Sequence, residues 1–489
     1  MEILVALDAG TSSIRAVAFS PAFEILSSAT RDLPVIFGAP GRVEQDPMQI
    51  ARLCLEVLSD LEEQLGPKAG QVVSIGLTNQ RESVVAWDRA DATVLHPLIS
   101  WQDSRGDEQC NTLKDLAWTI TERTGLMLSP YFSATKMSWL GANGYLSTAR
   151  MPSLGTLDTY LVWMLCGARP DSPFVTDASN ASRTMLFNLD SLDFDLELLE
   201  IFGVPRSQLP AIVPSALLQA RIGPKLPFAG VAIGAVLGDQ QASLLGQGCV
   251  SKGDLKNTYG SGSFVLANIG NERIRKDASL IESIAWTIPG QAPTFCLEGS
   301  IFSTGTIFRW LRDSLKILPS YGEIDSMAGS IRSSDGVVFV PSFQGLGAPH
   351  WRPSATGSIF GISAATRPEH LVRSALEGVA LRTEEVIEAM EAATLEKFAR
   401  LVVDGGLSKS DLLCQLQADQ LQIPVLRSKV TESTSLGVAV LAGLSAGVFS
   451  SLAEVNWPKP VEHFAPKASP TLSKARRELW NRYLARVLD

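Results

Sequence analysis

Three observations predict an α/β fold of two domains facing a central cleft. The first is a strand–turn–strand at the N-terminus. Ile3 to Leu7 is apolar, Asp8-Ala-Gly-Thr-Ser-Ser-Ile-Arg15 turns, and Arg15 to Phe19 is apolar again. The second is the same pattern at mid-chain, where Asn257-Thr-Tyr-Gly-Ser-Gly-Ser-Phe264 separates two apolar runs. The third is Asp404-Gly-Gly-Leu-Ser408, which follows Leu401-Val-Val and precedes an apolar-periodic helix. Turns of this kind bring backbone N–H groups and hydroxyls against a phosphate. Any one of them alone is an ordinary surface turn. The prediction rests on their order and spacing, one hairpin in each half.

Asp239 stands just ahead of the second hairpin, after the small apolar run Val231 to Leu237, which reads as a buried strand. A carboxylate at a strand end can take a proton from a substrate hydroxyl. Taken by itself, the stretch from 238 to 253 is equally an interdomain linker with turn glycines.

Length and composition bound the answer. A chain of 489 residues holds two large domains or more, and 45% apolar with 19% charged residues describes an ordinary globular protein. The net charge of −9 argues against broad binding to nucleic acid or to an anionic membrane. The six cysteines (54, 110, 166, 249, 296 and 414) show no metal-ligand spacing and read as reduced in a cytoplasmic protein. The four histidines are scattered, which argues against a histidine metal site. No signal peptide is legible, and the run from Gly437 to Phe449 is too short and interrupted to span a bilayer.

Along the first half, Glu24 to Leu33 supplies a third strand, and Asp46-Pro47 is an N-cap with proline at the first helical position. Ile50, Leu53, Val57, Leu58, Leu61 and Leu65 then form one apolar stripe. Val72 to Thr78 reads as a strand, with Val84 to Trp87 as its neighbour. Asn79-Gln-Arg-Glu82 directly after a buried strand is where α/β folds place ligand contacts, although Arg81-Glu82 also reads as a surface ion pair. Thr366-Arg-Pro-Glu369 reads as a capping box opening a helix, and Glu432 to Leu444 as a buried helix. The domain boundary falls near Gly246 to Gly253, giving domains 1–248 and 249–489.

The paired hairpins and the late Gly-Gly turn resemble the actin, hexokinase and heat-shock-chaperone ATPase fold, which is ribonuclease H-like. The resemblance narrows at two signatures of the FGGY carbohydrate kinase family. One is Tyr131-Phe-Ser-Ala-Thr-Lys136-Met-Ser-Trp139-Leu; the other runs from Gly357-Ser-Ile-Phe-Gly361-Ile through His370-Leu to Ser374-Ala-Leu-Glu377. Asn79-Gln-Arg-Glu82, the thirteen residues Thr176 to Asn188, Gly238-Asp-Gln-Gln241 and Gly345-Leu-Gly-Ala-Pro349 resemble the glycerol-phosphorylating branch.

That resemblance implies ATP-dependent, in-line phosphorylation of glycerol to glycerol 3-phosphate. It implies Asp239 as general base and Arg81, Glu82, Tyr131, Asp239 and Gln240 on the polyol hydroxyls. Trp101 and Phe264 are then apolar walls. Thr11, Ser12 and Arg15 meet the nucleotide phosphates from the first domain, Ser261 and Gly305 from the second, and Gly406 and Ser410 lie on the adenosine side. Asp8, with Asp239, holds Mg2+ through water. A homodimer or homotetramer is also implied. The contacts divide between the halves, so closure is expected about the segments near Gly246 to Gly253 and Leu436 to Gly447.

Departures from the family pattern are Asp103-Ser104-Arg105, Gln45, Arg309, His350, Arg352 and Ser410. The loop 223–230 also lacks the Gly/Arg-rich insertion by which relatives resemble binders of a sugar bisphosphate effector. A kinase of a tetritol, dihydroxyacetone or a pentulose, and a non-catalytic polyol-sensing regulator, are the competing readings. The regulator would be expected to lose Asp239, Asp8 or the hairpin glycines, and all are present. A chaperone-like ATPase would need a peptide-binding domain after the second half, and no C-terminal extension here is long enough.

Overall fold

The computed structural model describes residues 2–274, 279–430 and 432–489. Its two large sheets share one design. In the first, Ile3–Ala9 and Ser13–Phe19 form an antiparallel hairpin with Asp8 opposite Arg15, and Ile25–Asp32 adds to its outer edge. On the other flank Val72–Asn79 and then Ala232–Gly238 run parallel to Ile3–Ala9, and Ala216–Arg221 closes the sheet. In the second, Leu255–Tyr259 and Ser263–Gly270 form the hairpin, with Thr294–Ile301 and Ile281–Trp286 beyond it. Leu401–Asp404 and Val425–Arg427 run parallel on its far side, and Glu462–Phe464 is the edge. The two halves therefore repeat each other in topology, as the repeated hairpin pattern predicts.

Parallel central strands are covered on both faces, so they read as unbroken apolar runs. Ile3 to Leu7 are all fully buried. One face of the first sheet is covered by the helix Pro47–Leu65, capped by the Asp46 carboxylate accepting from Met48 N. Every residue of its predicted stripe is buried there.

The other face meets the second half through a shared core. Leu4, Ala6 and Leu237 from one half pack in the same cluster as Leu266, Cys296 and Val402 from the other. Two helices fill this layer, Asp239–Gly246 and Ser433–Ser445. They cross at glycine: a Cβ on Gly246 would lie 1.8 Å from Ser433 O, and one on Gly437 1.9 Å from Ala242 O. Ser433–Ser445 belongs to the second half by position, yet it lies on the first sheet, with Ser445 Oγ donating to Gly234 O.

Three expectations need correction. Val84–Asp88 is not a neighbour of Val72–Asn79. It pairs with Val94–Ile99 and Pro152–Thr156 in a separate five-stranded sheet, because the buried polar turn after Asn79 carries the chain out of the first sheet. Thr366 does not cap the helix Pro368–Thr394; Arg367 N donates instead to His370 Nδ1 at 3.0 Å. The Gly-Gly turn leads into a short 3-10 stretch, Gly406–Lys409, and the helix opens only at Asp411, where Ser410 Oγ accepts from Leu413 N. All six cysteines are unpaired. Among the described residues no helix is long and apolar enough to cross a membrane.

Candidate active site

The first sheet brings one edge of the site together. In register, Asp8 lies beside Thr78 and Thr78 beside Leu237. The three parallel strands thus end side by side, and Asp8, the turn Gln80–Glu82 and Asp239 emerge at one edge. Arg81 and Glu82 are no surface pair: each side chain is only 2% exposed.

A buried charge network holds them. Arg81 Nη1 donates to Glu298 Oε2 at 2.6 Å and to Gln241 Oε1 at 3.1 Å, while Arg81 Nη2 donates to Glu298 Oε1 at 3.2 Å. Arg81 Nε lies 3.1 Å from Asp239 Oδ1. Arg183 Nε donates to Glu82 Oε1 at 2.6 Å, and Arg183 Nη2 to Glu298 Oε1 at 3.2 Å. Buried ions persist only when paired in this way. The wall beside them is aromatic. Arg183 sits over the Tyr131 ring at 5.9 Å, and Tyr131 packs edge-on against Trp101 at 5.5 Å. Trp101 Nε1 in turn donates to Thr11 Oγ1 at 2.9 Å, tying this wall to the first hairpin tip.

Burial and its neighbours set the charge states. Desolvation pushes Asp239 up to about 6, with Glu82 and Glu298 adding to the rise and Arg81 opposing it. Desolvation also raises Asp8 to about 7, helped by the Asp239 charge. Glu298 goes the other way: burial would raise it, but Arg183 and then Arg81 outweigh that and hold it at about 2. Tyr131 is pushed up by burial and by Glu82.

Gln240 and Phe264 complete the predicted polyol set from opposite sides. Gln240 Oε1 accepts from the buried Lys256 Nζ at 2.9 Å, a contact from the second half. Lys256 is pushed below the usual lysine range by burial. Phe264 is half-buried in the shared core between the sheets.

On the second half, four predicted nucleotide residues meet. Ser261, Gly305, Gly406 and Ser410 line one cavity of about 570 Å³, together with Tyr259 and Asp325. Gly305 N donates to Gly260 O at 3.0 Å, docking the N-terminus of the helix Gly305–Asp313 on the hairpin tip. Ser410 donates to Asp325, whose other oxygen accepts from Asp411 N at 2.7 Å. Thr11 and Ser12 stay at the first hairpin tip, and Arg15 forms an ion pair with Glu432 across the two halves; these three do not line that cavity.

Sequence reasoning named no role for Arg183, Glu298, Lys256, Asp325 or Lys136. A lone acid inside the apolar run Thr294–Ile301 is the signal that points to Glu298. Lys136 is fully buried and donates to three successive carbonyls, Pro130 O at 2.6 Å, Tyr131 O at 2.7 Å and Phe132 O at 3.1 Å. It thereby shapes the loop that carries Tyr131. The departing residues 103–105 have a partnership of their own, with Arg105 Nη2 paired to Asp103 at 2.8 Å and to Glu44 at 2.5 Å.

Two sheets with hairpin tips share one core and frame a charged, aromatic-walled pocket. Models of the FGGY family of carbohydrate kinases match twice, the N-terminal domain over residues 3–246 and the C-terminal domain over 255–446. The chain belongs to the FGGY family of carbohydrate kinases. It is 41% identical to a protein named glycerol kinase from Polaromonas sp., over 93% of each chain. It is 40% identical to another so named from Pseudothermotoga lettingae, over 99% of this chain and 98% of that one. Among solved structures, Plasmodium falciparum glycerol kinase with ADP superposes with a TM-score of 0.93 at 29% identity, covering 100% of this chain and 99% of that one. Gluconate kinase from Lactobacillus acidophilus shares the fold, with a TM-score of 0.85 at 22% identity over 99% and 97% of the two chains.

Proposed function

We propose that this chain phosphorylates glycerol with ATP to give glycerol 3-phosphate and ADP. The observation that carries the reading is the charged cluster of buried Arg81 and Glu82 with half-buried Asp239, beside Tyr131 and Trp101. A small neutral triol offers only hydroxyls, and charged partners give the strongest hydrogen bonds to them. The names borne by relatives at about 40% identity support the same substrate.

In the proposed step the terminal hydroxyl oxygen attacks the γ-phosphorus, the bond to the β,γ-bridging oxygen breaks, and ADP leaves. Phosphoryl transfer of this kind needs alignment and neutralised oxygens more than covalent help. Asp239 orients the hydroxyl and accepts its proton. Its carboxyl, raised to about 6, is a better base than an ordinary aspartate and is still ionised at neutral pH. Gln240, Tyr131 and Phe264 complete the polyol site, and Trp101 joins it to Thr11. The nucleotide lies between the tip bearing Thr11, Ser12 and Arg15 and the cavity bearing Ser261, Gly305, Gly406 and Ser410.

The Asp239 charge helps to raise the pKa of Asp8, so a cation between them would relieve that repulsion. Among the described residues no group of three or more His, Cys, Asp or Glu side chains is placed to hold a metal ion. Mg2+ keeps several of its waters and takes few protein ligands, and Asp8 with Asp239 would hold it through water. The metal would neutralise charge on the phosphate oxygens. The gap between the two family matches supports a domain boundary at 248/249. A cytoplasmic location and a homodimer or homotetramer belong to the same proposal.

A coupled assay of ADP release tests the reading across glycerol, tetritols, dihydroxyacetone and pentuloses. Glycerol should give the highest kcat/KM by at least tenfold. A pentulose or tetritol ahead of glycerol would reassign the substrate, and no turnover with any of them would favour a non-catalytic sensor.

A further inference from the structure

We infer that Glu298 is a positioning residue of the polyol pocket, contributed by the second half to a site whose other charges come from the first. The inference rests on the polyol-kinase reading above.

Strand geometry sends Glu298 the right way. Phe264 lies opposite Ser300 and Leu266 opposite Glu298, so these four residues share one face of the second sheet. That is the face carrying Phe264 and Leu266 into the core shared with the first half. Glu298 is fully buried and accepts from four donors: Arg81 Nη1 at 2.6 Å, Arg81 Nη2 at 3.2 Å, Arg183 Nη2 at 3.2 Å and Ser300 Oγ at 3.4 Å.

Two parallel bonds from a guanidinium to a carboxylate fix the plane of the guanidinium, which a single bond does not. Glu298 grips Arg81 in this way, and the Nε edge of Arg81 is left toward Asp239 at 3.1 Å. It also holds one end of Arg183, whose Nε then holds Glu82. Buried Arg183 Nη1 has no hydrogen-bond partner in the protein, and Arg81 Nε has only its ion pairs with Asp239 at 3.1 Å and Glu82 at 3.7 Å. Glu298 sets the plane of Arg81, Arg183 is held between Glu298 and Glu82, and each guanidinium presents an N–H suited to a hydroxyl. The first half supplies the charged polyol-binding side chains, and Glu298 of the second half aims Arg81 among them. A polyol site made this way is complete only when the two sheets are in contact.

Kinetics on two variants of the full chain test this. Glu298→Gln removes the charge and turns an N–H toward the guanidinium groups. It should raise the glycerol KM about 10-fold, the scale of a charged hydrogen bond, with the ATP KM within twofold of wild type. A second readout separates aiming from mere support of the fold. Aiming acts on the bound polyol, so kcat at saturating glycerol should fall less than kcat/KM for glycerol. Glu298→Asp keeps the charge but shortens the reach. Its glycerol KM should remain raised while its ATP KM and its melting stay at the wild-type values.

An unchanged glycerol KM in Glu298→Gln would overturn the inference. So would equal rises in both KM values, or loss of cooperative melting in both variants, since each makes Glu298 a general support of the fold. If instead the wild-type chain turns over no polyol, the functional reading itself has failed.

Discussion

The charged pocket around Arg81 and the cavity beside Ser261 differ in what they are made of. The first is built from mutually paired charges, with Arg81, Glu82, Arg183 and Glu298 buried and Asp239 half-buried at their edge. The second is built from backbone, small residues and room, about 570 Å³ beside Gly260, Gly305 and Gly406. The difference follows from the ligands proposed for each. A small triol has little surface to bury, so its recognition depends on a few strong, directed hydrogen bonds. A nucleoside triphosphate brings its own charges and a large base, so amide donors and space suffice. A change to one side chain should therefore be felt sharply in the pocket, while the cavity should respond chiefly to crowding of its backbone.

The largest effect is expected at Asp239. Asp239→Asn keeps the shape and removes the proton acceptor, and kcat should fall by roughly 10²-fold or more, the usual scale for a positioned base, with glycerol binding partly kept. Steady-state rates within a few-fold of wild type would remove Asp239 from the chemistry. The wild type should show the matching pH dependence. A base works only when deprotonated, and Asp239 is raised to about 6, so kcat/KM for glycerol should be flat above that pH and decline below it.

Next in size is Glu82→Gln. Glu82 keeps one oxygen on Arg183 at 2.6 Å, and losing its charge should raise the glycerol KM about 10-fold while the ATP KM holds. Equal changes in both constants would erase the distinction between pocket and cavity. Gly305→Ala should do the reverse. A Cβ there would lie 2.6 Å from Gly260 O, and the hairpin tip must move. Overpacking of that order should raise the ATP KM roughly fivefold or more, with the glycerol KM unaffected.

The smallest signal is structural. The proposed ATP contacts come from both halves, so glycerol with a non-hydrolysable ATP analogue should lower the radius of gyration in solution scattering, and glycerol alone should lower it less. The same profile with and without both bound ligands would mean that pocket and cavity are aligned in a rigid, preformed cleft.

Local chemistry made part of this legible in advance. Asp46-Pro47 opens its helix and the stripe from Ile50 to Leu65 is buried, because a cap and a 3.6-residue period are properties of neighbouring residues. The two glycine hairpins fold as hairpins for the same reason. Register and partnership are not local. That Val84–Asp88 leaves the first sheet, and that Ser433–Ser445 lies on it, depends on which surfaces meet after the chain has turned away. At the site, Asp239 and the Asn79–Glu82 turn were visible as polar residues ending apolar runs. Glu298 showed only as a lone acid in an apolar run and its pairing with Arg183 was silent, because a buried ion pair between residues 115 positions apart leaves no spacing to read. The chain by itself determined two hairpin lobes, a carboxylate between them and the family to which it belongs. Only the tertiary structure decided which charges face one another, because burying a charge is costly until its partner arrives from elsewhere in the chain.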